Sequence, residues 1–139
     1  SSHIPIPETT RTRLLASSAA DLEDLLPELK ERGEETLRRI REKLEERGRR
    51  EADELRDILV RQKERIGRQK EKHASPLLDL GYDEDEKRQL ASDRLHWDRR
   101  LTSLEKELST EPDRIRRSFE VRATRLEPVG LAYLWPVSG

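Results

Sequence analysis

The residues best equipped for chemistry in this chain are its cations. Arg61, Lys63, Arg65, Arg68, Lys70 and Lys72 are opposed locally only by Glu64 and Glu71. Arg114, Arg116 and Arg117 form a second, shorter cluster. Both are candidates for contact with a nucleic-acid backbone, where each neutralised phosphate releases counterions. The triplets Arg38, Arg39, Arg41 and Arg47, Arg49, Arg50 are interleaved with Glu42, Glu45, Glu46, Glu51 and Glu54 and read as a solvated helix face laced with local ion pairs. Of the 29 basic residues 22 are arginine, the side chain whose planar fork suits phosphate and carboxylate, although a GC-rich coding sequence yields the same bias. No aromatic residue interleaves with the basic runs, so stacking on unpaired bases is unsupported.

Other chemistry finds little footing. No glycine-rich phosphate loop precedes a Lys-Ser or Lys-Thr pair, and no Gly-x-Ser-x-Gly elbow occurs. Cysteine is absent, which removes disulfides, thiolate nucleophiles and cysteine-bound zinc. His3, His73 and His96 are dispersed, so no histidine cluster is expected, and neither a metal nor a cofactor is implied. Carboxylates are plentiful, but acid–base catalysis needs them paired in a concave, partly dry site. The chain is therefore expected to be non-catalytic.

The elements that position the cations follow from periodicity. With 139 residues, 42% charged and 32% hydrophobic, there are too few apolar side chains for a wide core, while near-zero net charge and periodic leucines argue against disorder. The fold class expected is all-α: a long antiparallel helical hairpin with short flanking helices and an extended C-terminal tail. Residues 1–26 read as an extended entry followed by short helices over Glu8–Ser17 and from an N-cap at Ser18, with Pro27 opening the next helix or kinking a continuing one. Residues 27–126 read as the hairpin, turning near 74–82. Leu37, Ile40 and Leu44, then Leu55, Leu59 and Ile66, carry the first stripe, with an eleven-residue step between Leu44 and Leu55. Gly33, Gly48 and Gly67 read as weak points costing about 1 kcal/mol each relative to alanine.

Asp83, Glu84, Asp85 and Glu86 complement the positive end of a helix dipole and start the second helix. Its seam runs Leu90, Arg94, Trp97, Leu101, Leu104, Leu108 at heptad spacing. Thr110-Glu111-Pro112-Asp113 reads as a new cap or a kink, with Ile115, Phe119, Arg122 and Leu126 continuing the stripe. A symmetric turn near residue 78 sets Gln62 opposite Trp97 and the basic run beside the acids at 83–86. A parallel homodimer is the alternative to the hairpin.

Residues 127–139 form an apolar tail in which Val129–Val137 reads as a short edge strand. Tyr133, Leu134 and Trp135 are its candidate docking residues, on either the first helical turns near Leu14–Leu29 or another part of a parent protein. Because the chain opens on Ser1 and lacks methionine, it is expected to be a piece of a longer protein. No apolar run approaches the length of a bilayer span and no signal peptide opens the chain, so a cytoplasmic protein with no membrane partner is expected.

Several segments resemble a known family. Leu25-Leu26-Pro27-Glu28-Leu29, Glu51-Ala52-Asp53-Glu54-Leu55-Arg56, Glu111-Pro112-Asp113-Arg114-Ile115 and Leu126-Glu127-Pro128-Val129-Gly130 followed by Tyr133-Leu134-Trp135-Pro136 resemble the C-terminal region of bacterial Swi/Snf-like superfamily-two helicases, in particular the helicase components of DISARM-type phage-defence systems. The resemblance implies a parent that hydrolyses ATP and translocates on duplex DNA. The motor motifs lie outside these residues, so no catalytic or nucleotide-binding residue carries over. The implied role is an accessory domain that contacts duplex DNA or a partner protein; a self-associating coiled-coil scaffold or adaptor, unrelated to helicases, is the alternative.

Overall fold

The computed structural model describes residues 6–73 and 81–134. It is all-helical, with α1 spanning Glu8–Lys72 and α2 spanning Glu84–Ser118. The described residues fall into two compact units, one built on Arg41–Glu120 and one on the chain up to Ile40 together with the chain from Val121.

The Arg41–Glu120 unit is the antiparallel hairpin. As α1 rises from Arg47 to His73, the residues it meets fall from Phe119, at the C-terminal cap of α2, to Trp97 and Arg94 within α2. Its core is narrow: Gly48, Ala52 and Leu59 of α1 are buried, with Leu104 and Pro112 of α2. Leu104 is fully enclosed, and complete burial of a leucine stabilises by about 1.5–3 kcal/mol. Leu44, Leu55, Ile66, Leu101, Leu108 and Ile115 flank it half-buried. Gly48 and Ala52 fill the eleven-residue step between Leu44 and Leu55, so the slip in the leucine pattern is a run of small seam residues.

Those small residues set the register. A Cβ on Gly48 would lie 3.2 Å from the Arg116 carbonyl oxygen and 3.2 Å from Phe119 Cβ. A side chain there would push the last turn of α2 back by a few tenths of an ångström, so glycine permits this close approach. Consequently His73 meets Trp97, with ring centroids 5.3 Å apart, and Gln62 accepts from Arg100 at 3.2 Å. Each α1 position meets a residue further along α2 than a symmetric turn predicts. The acids at 83–86 are not beside the basic run in this register. Asp83 caps α2 by accepting from the Glu86 N–H at 2.8 Å, and Glu86 accepts from the Asp83 N–H at 3.0 Å. This reciprocal capping box fixes the helix start that the acidic run predicts. Most of the expected turn, residues 74–80, lies outside the described residues; Gly81 has a φ of 140°, which side-chain-bearing residues rarely adopt.

The break expected at Ser18 is absent, and at Pro27 and Pro112, where the sequence leaves a new helix or a continuing one open, the helices continue. The short helices before Pro27 are one uninterrupted part of α1. The Ser18 hydroxyl donates back to the Leu15 carbonyl at 2.8 Å, and that of Ser17 lies 3.2 Å from the Leu14 carbonyl, so neither caps a new helix. Pro27 lies within α1 and Pro112 within α2. Likewise the Thr110 hydroxyl donates to the Lys106 carbonyl at 3.0 Å, so no cap forms there and α2 continues.

The helix then stops at Ser118, earlier than the stripe through Arg122 and Leu126 predicts. The Phe119 N–H turns back to the Arg116 carbonyl at 3.3 Å and the Glu120 N–H to the Arg117 carbonyl at 3.2 Å, tightening the last turn. From Val121 to Leu134 the chain is irregular. The described part of the expected strand, Val129–Leu134, is not a strand: its prolines limit it to an edge, and the described residues offer no sheet to join.

In the second unit this irregular chain lies along α1. Leu126 sits on Gly33, where an added Cβ would be 3.2 Å from both leucine methyls. Leu29, Leu37, Ile40 and Leu126 border an apolar groove of about 650 Å³ there.

Candidate nucleic-acid interface

The helical period sorts the basic run into two faces. Positions 61, 65, 68 and 72 recur at steps of four, three and four and share one face of α1. Arg61, Arg65, Arg68 and Lys72, with Gln69, border a shallow groove of about 500 Å³. The Arg61 Nε donates to the Asp57 carbonyl at 3.2 Å and the Arg68 Nε to the Glu64 carbonyl at 3.4 Å, which lays both side chains back along the helix. Arg68 also lies 3.8 Å from the Glu64 carboxylate. Among the described residues, Arg61, Arg65 and Lys72 have no carboxylate within ion-pair distance.

Lys63 and Lys70, seven apart, fall on the side turned to α2. Lys63 pairs with Glu105 at 3.1 Å, and Lys70 pairs with Asp98. They bridge the two helices at the surface and are separated from the four-cation face by the helix itself. Arg114, Arg116 and Arg117 are likewise not a single open patch. Arg114 pairs with Glu111 at 3.5 Å and Arg116 with Asp113 at 3.3 Å. Arg116 also borders a small cavity with Glu45, Arg49, Phe119 and Glu120. Pairs this exposed contribute about 1 kcal/mol or less each, yet they reduce the net positive charge offered to a phosphate.

The most connected polar group in the hairpin is one that sequence reading passes over. Arg100 donates to Glu107 at 2.7 Å and to Gln62, while Ser103 donates to the same Glu107 carboxylate at 2.9 Å. The Arg100 bond, followed by the Ser103 bond, holds the Glu107 carboxyl below the usual carboxylate range. The seven-residue step from Arg100 to Glu107 was the available signal.

Of the tail's candidate docking residues, Tyr133 is engaged within the chain. Its hydroxyl lies against the Asp21 carboxylate and 3.3 Å from the Leu14 carbonyl. Ser17 donates to the same carboxylate at 2.9 Å. The tyrosine bond, then the serine bond, lowers the Asp21 pKa, and the carboxylate in turn raises that of Tyr133. Leu134 is almost fully exposed, and Trp135 lies outside the described residues. Asp21 and Ser17 carry no motif that would have singled them out in the sequence.

Among the described residues no helix is long and apolar enough to cross a membrane, and no group of three or more His, Asp or Glu side chains is placed to hold a metal ion. No protein family, curated protein or solved structure matches the chain.

Proposed function

We propose that this chain is a non-catalytic accessory arm of a DNA helicase or translocase, bearing on the phosphate backbone of duplex DNA through Arg61, Arg65, Arg68 and Lys72. The observation that carries this reading is the sorting of charge on α1. Lys63 and Lys70 are taken up by α2, whereas four cations at consecutive turns face away from those pairs and line one groove. The resemblance of the Pro27, Pro112 and Leu126–Pro136 segments to helicase C-terminal regions supplies the parent activity in this reading. A rigid row of cations without aromatic neighbours suits phosphates and offers nothing to read base edges. Binding is therefore weak and independent of sequence, in keeping with a net charge of −1.

The test is a titration of duplex DNA at low salt against the wild-type chain and the Arg61→Gln, Arg65→Gln, Arg68→Gln variant. Glutamine preserves helix propensity. Affinity should fall, and the dependence of log K on log salt should flatten by up to about 2.7, since each phosphate contact contributes about 0.9. Equal binding by both proteins, or none by either, would exclude the DNA-arm reading.

A further inference from the structure

Whereas the first half of α1 is covered by a strap, the irregular chain from Val121 to Leu134, the hairpin leaves exposed the faces that its helices turn away from each other. On α1 that face carries the row Arg61, Arg65, Arg68 and Lys72. On α2 it carries Arg88, Arg99, Lys106 and Arg117. Steps of eleven, seven and eleven keep these four within about 20° of one line along the helix. That line lies about 140–160° around α2 from the enclosed Leu104. The acids of this stretch are gathered on the other side. Asp98 and Glu105 pair with Lys70 and Lys63 of α1, Glu107 holds Arg100, and Asp93 and Glu111 are half-buried. Arg88 lies 3.9 Å from Asp85. Asp113, which borders the face near Arg117, is paired with Arg116 at 3.3 Å. Arg99, Lys106 and Arg117 are exposed and, among the described residues, have no carboxylate within ion-pair distance.

We infer that Arg99, Lys106 and Arg117 form a second phosphate-binding face, so that one hairpin bridges two segments of duplex DNA, one along each helix. The inference rests on the reading of the α1 row as a face for duplex backbone. Between Arg99 and Arg117 the outer face holds Thr102, Ser103 and Thr110 and no apolar side chain, which suits a polyanion and gives a protein partner no anchor. Trp97 is turned inward onto His73, so no ring is offered to a base. From Arg99 to Arg117 the row runs about 27 Å along the helix, which is long enough to meet several phosphates of one backbone. The two rows lie on opposite sides of a pair of packed helices about 20 Å across, so a straight duplex seated on one row does not reach the other. A second duplex is what completes the charge balance of the second row.

The experiment mixes short duplexes carrying a donor dye with others carrying an acceptor, at low salt, and adds the full chain. Energy transfer between duplexes reads bridging, and anisotropy of one duplex at limiting concentration reads single-duplex binding. The wild-type chain should give transfer that salt abolishes. The Arg99→Gln, Lys106→Gln, Arg117→Gln variant, its helicity checked by circular dichroism, should lose transfer at least about tenfold, because bridging needs both faces at once. Its single-duplex affinity should fall no more than about twofold, since the denser α1 row remains. A wild-type chain that binds one duplex through the α1 row yet gives no transfer overturns the second face and leaves the α1 reading standing. Transfer that survives the α2 variant also overturns it, placing the bridge in self-association or on another surface. Single-duplex binding that is unchanged when Arg61, Arg65 and Arg68 become glutamine removes the α1 reading, and this inference with it.

Discussion

The hairpin and the strapped half of α1 solve the same problem with different partners. Both rest on a leucine stripe interrupted by a glycine, Gly48 in one and Gly33 in the other, and both bring another segment onto that glycine. In the hairpin the arriving segment is a helix, which satisfies its own backbone and presents a periodic row of side chains. In the strapped half it is an irregular chain whose backbone gains no such ladder. An extended covering chain bears the cost of ordering each residue, about 1–2 kcal/mol, with few contacts in return. The lesson is that a heptad stripe specifies a surface and leaves the partner to be set by whatever fits its hollows.

The largest expected difference between the two regions comes from truncating their central leucines. Leu104 is fully enclosed, so Leu104→Ala should destabilise the hairpin by about 2–5 kcal/mol, with the cavity term included. Leu126 is about half-exposed at 48%, and Leu126→Ala should cost about 1 kcal/mol, felt as loss of strap docking. Urea unfolding followed by circular dichroism measures the first. Amide exchange along Glu8–Ile40 reads the second. Comparable losses of global stability would mean that the strap is as integral as α2.

The glycines sharpen the comparison at smaller scale. At Gly48 an added methyl meets the Arg116 carbonyl oxygen, a backbone atom fixed by its helix. Overpacking of about 1–3 kcal/mol outweighs the roughly 1 kcal/mol of helix propensity regained, so Gly48→Ala should destabilise by about 1 kcal/mol. At Gly33 the methyl meets the mobile end of Leu126, which can rotate away, so Gly33→Ala should leave the helices near wild-type stability while loosening the strap. Gly67 has nothing within 4 Å of an added Cβ, and Gly67→Ala should stabilise by up to about 1 kcal/mol. Thermal unfolding of the three single variants should give three different signs or sizes. Three equal shifts would show that glycine placement carries no packing information.

These glycines also mark where the sequence stopped being legible. A glycine in a heptad stripe reads equally as a weakness or as clearance for a partner, and only the partner's position decides. The second helix was legible because its acidic start and its seam from Leu90 to Leu108 agree with each other. The continuity of α1 was not, because a serine hydroxyl that can cap a helix can also bond back inside one, as Ser18 does. The basic run was legible as a run, but its division into a free face and a pairing face depends on where α2 lies. The contact between Tyr133 and Asp21 joins residues 112 positions apart, and no local pattern announces it.

The smallest expected effect, and the one that separates the two regions by chemistry, is their response to pH. The Asp21 carboxyl has its pKa lowered by Tyr133 and Ser17. Its contribution to strap docking is therefore fully present above the ordinary aspartate value of about 3.9 and is lost as pH falls through the lowered value. The Tyr133 phenol has its pKa raised, chiefly by Asp21. Its contribution is fully present below the ordinary tyrosine value of about 10 and is lost as pH rises through the raised one. Strap docking should thus be flat through neutrality and weaken at both extremes. In the hairpin, Glu107 has its pKa lowered by Arg100 and Ser103, which predicts an acid limb and supplies no tyrosine limb. Trp135, two residues beyond Tyr133, reports on the strap by fluorescence anisotropy in a Trp97→Phe chain, and circular dichroism follows the helices in the same samples. Tyr133→Phe should abolish the alkaline limb of the anisotropy and leave the acid limb of the helices unchanged. An alkaline limb that survives Tyr133→Phe would place its origin elsewhere and remove the tyrosine from the account of how the strap is held.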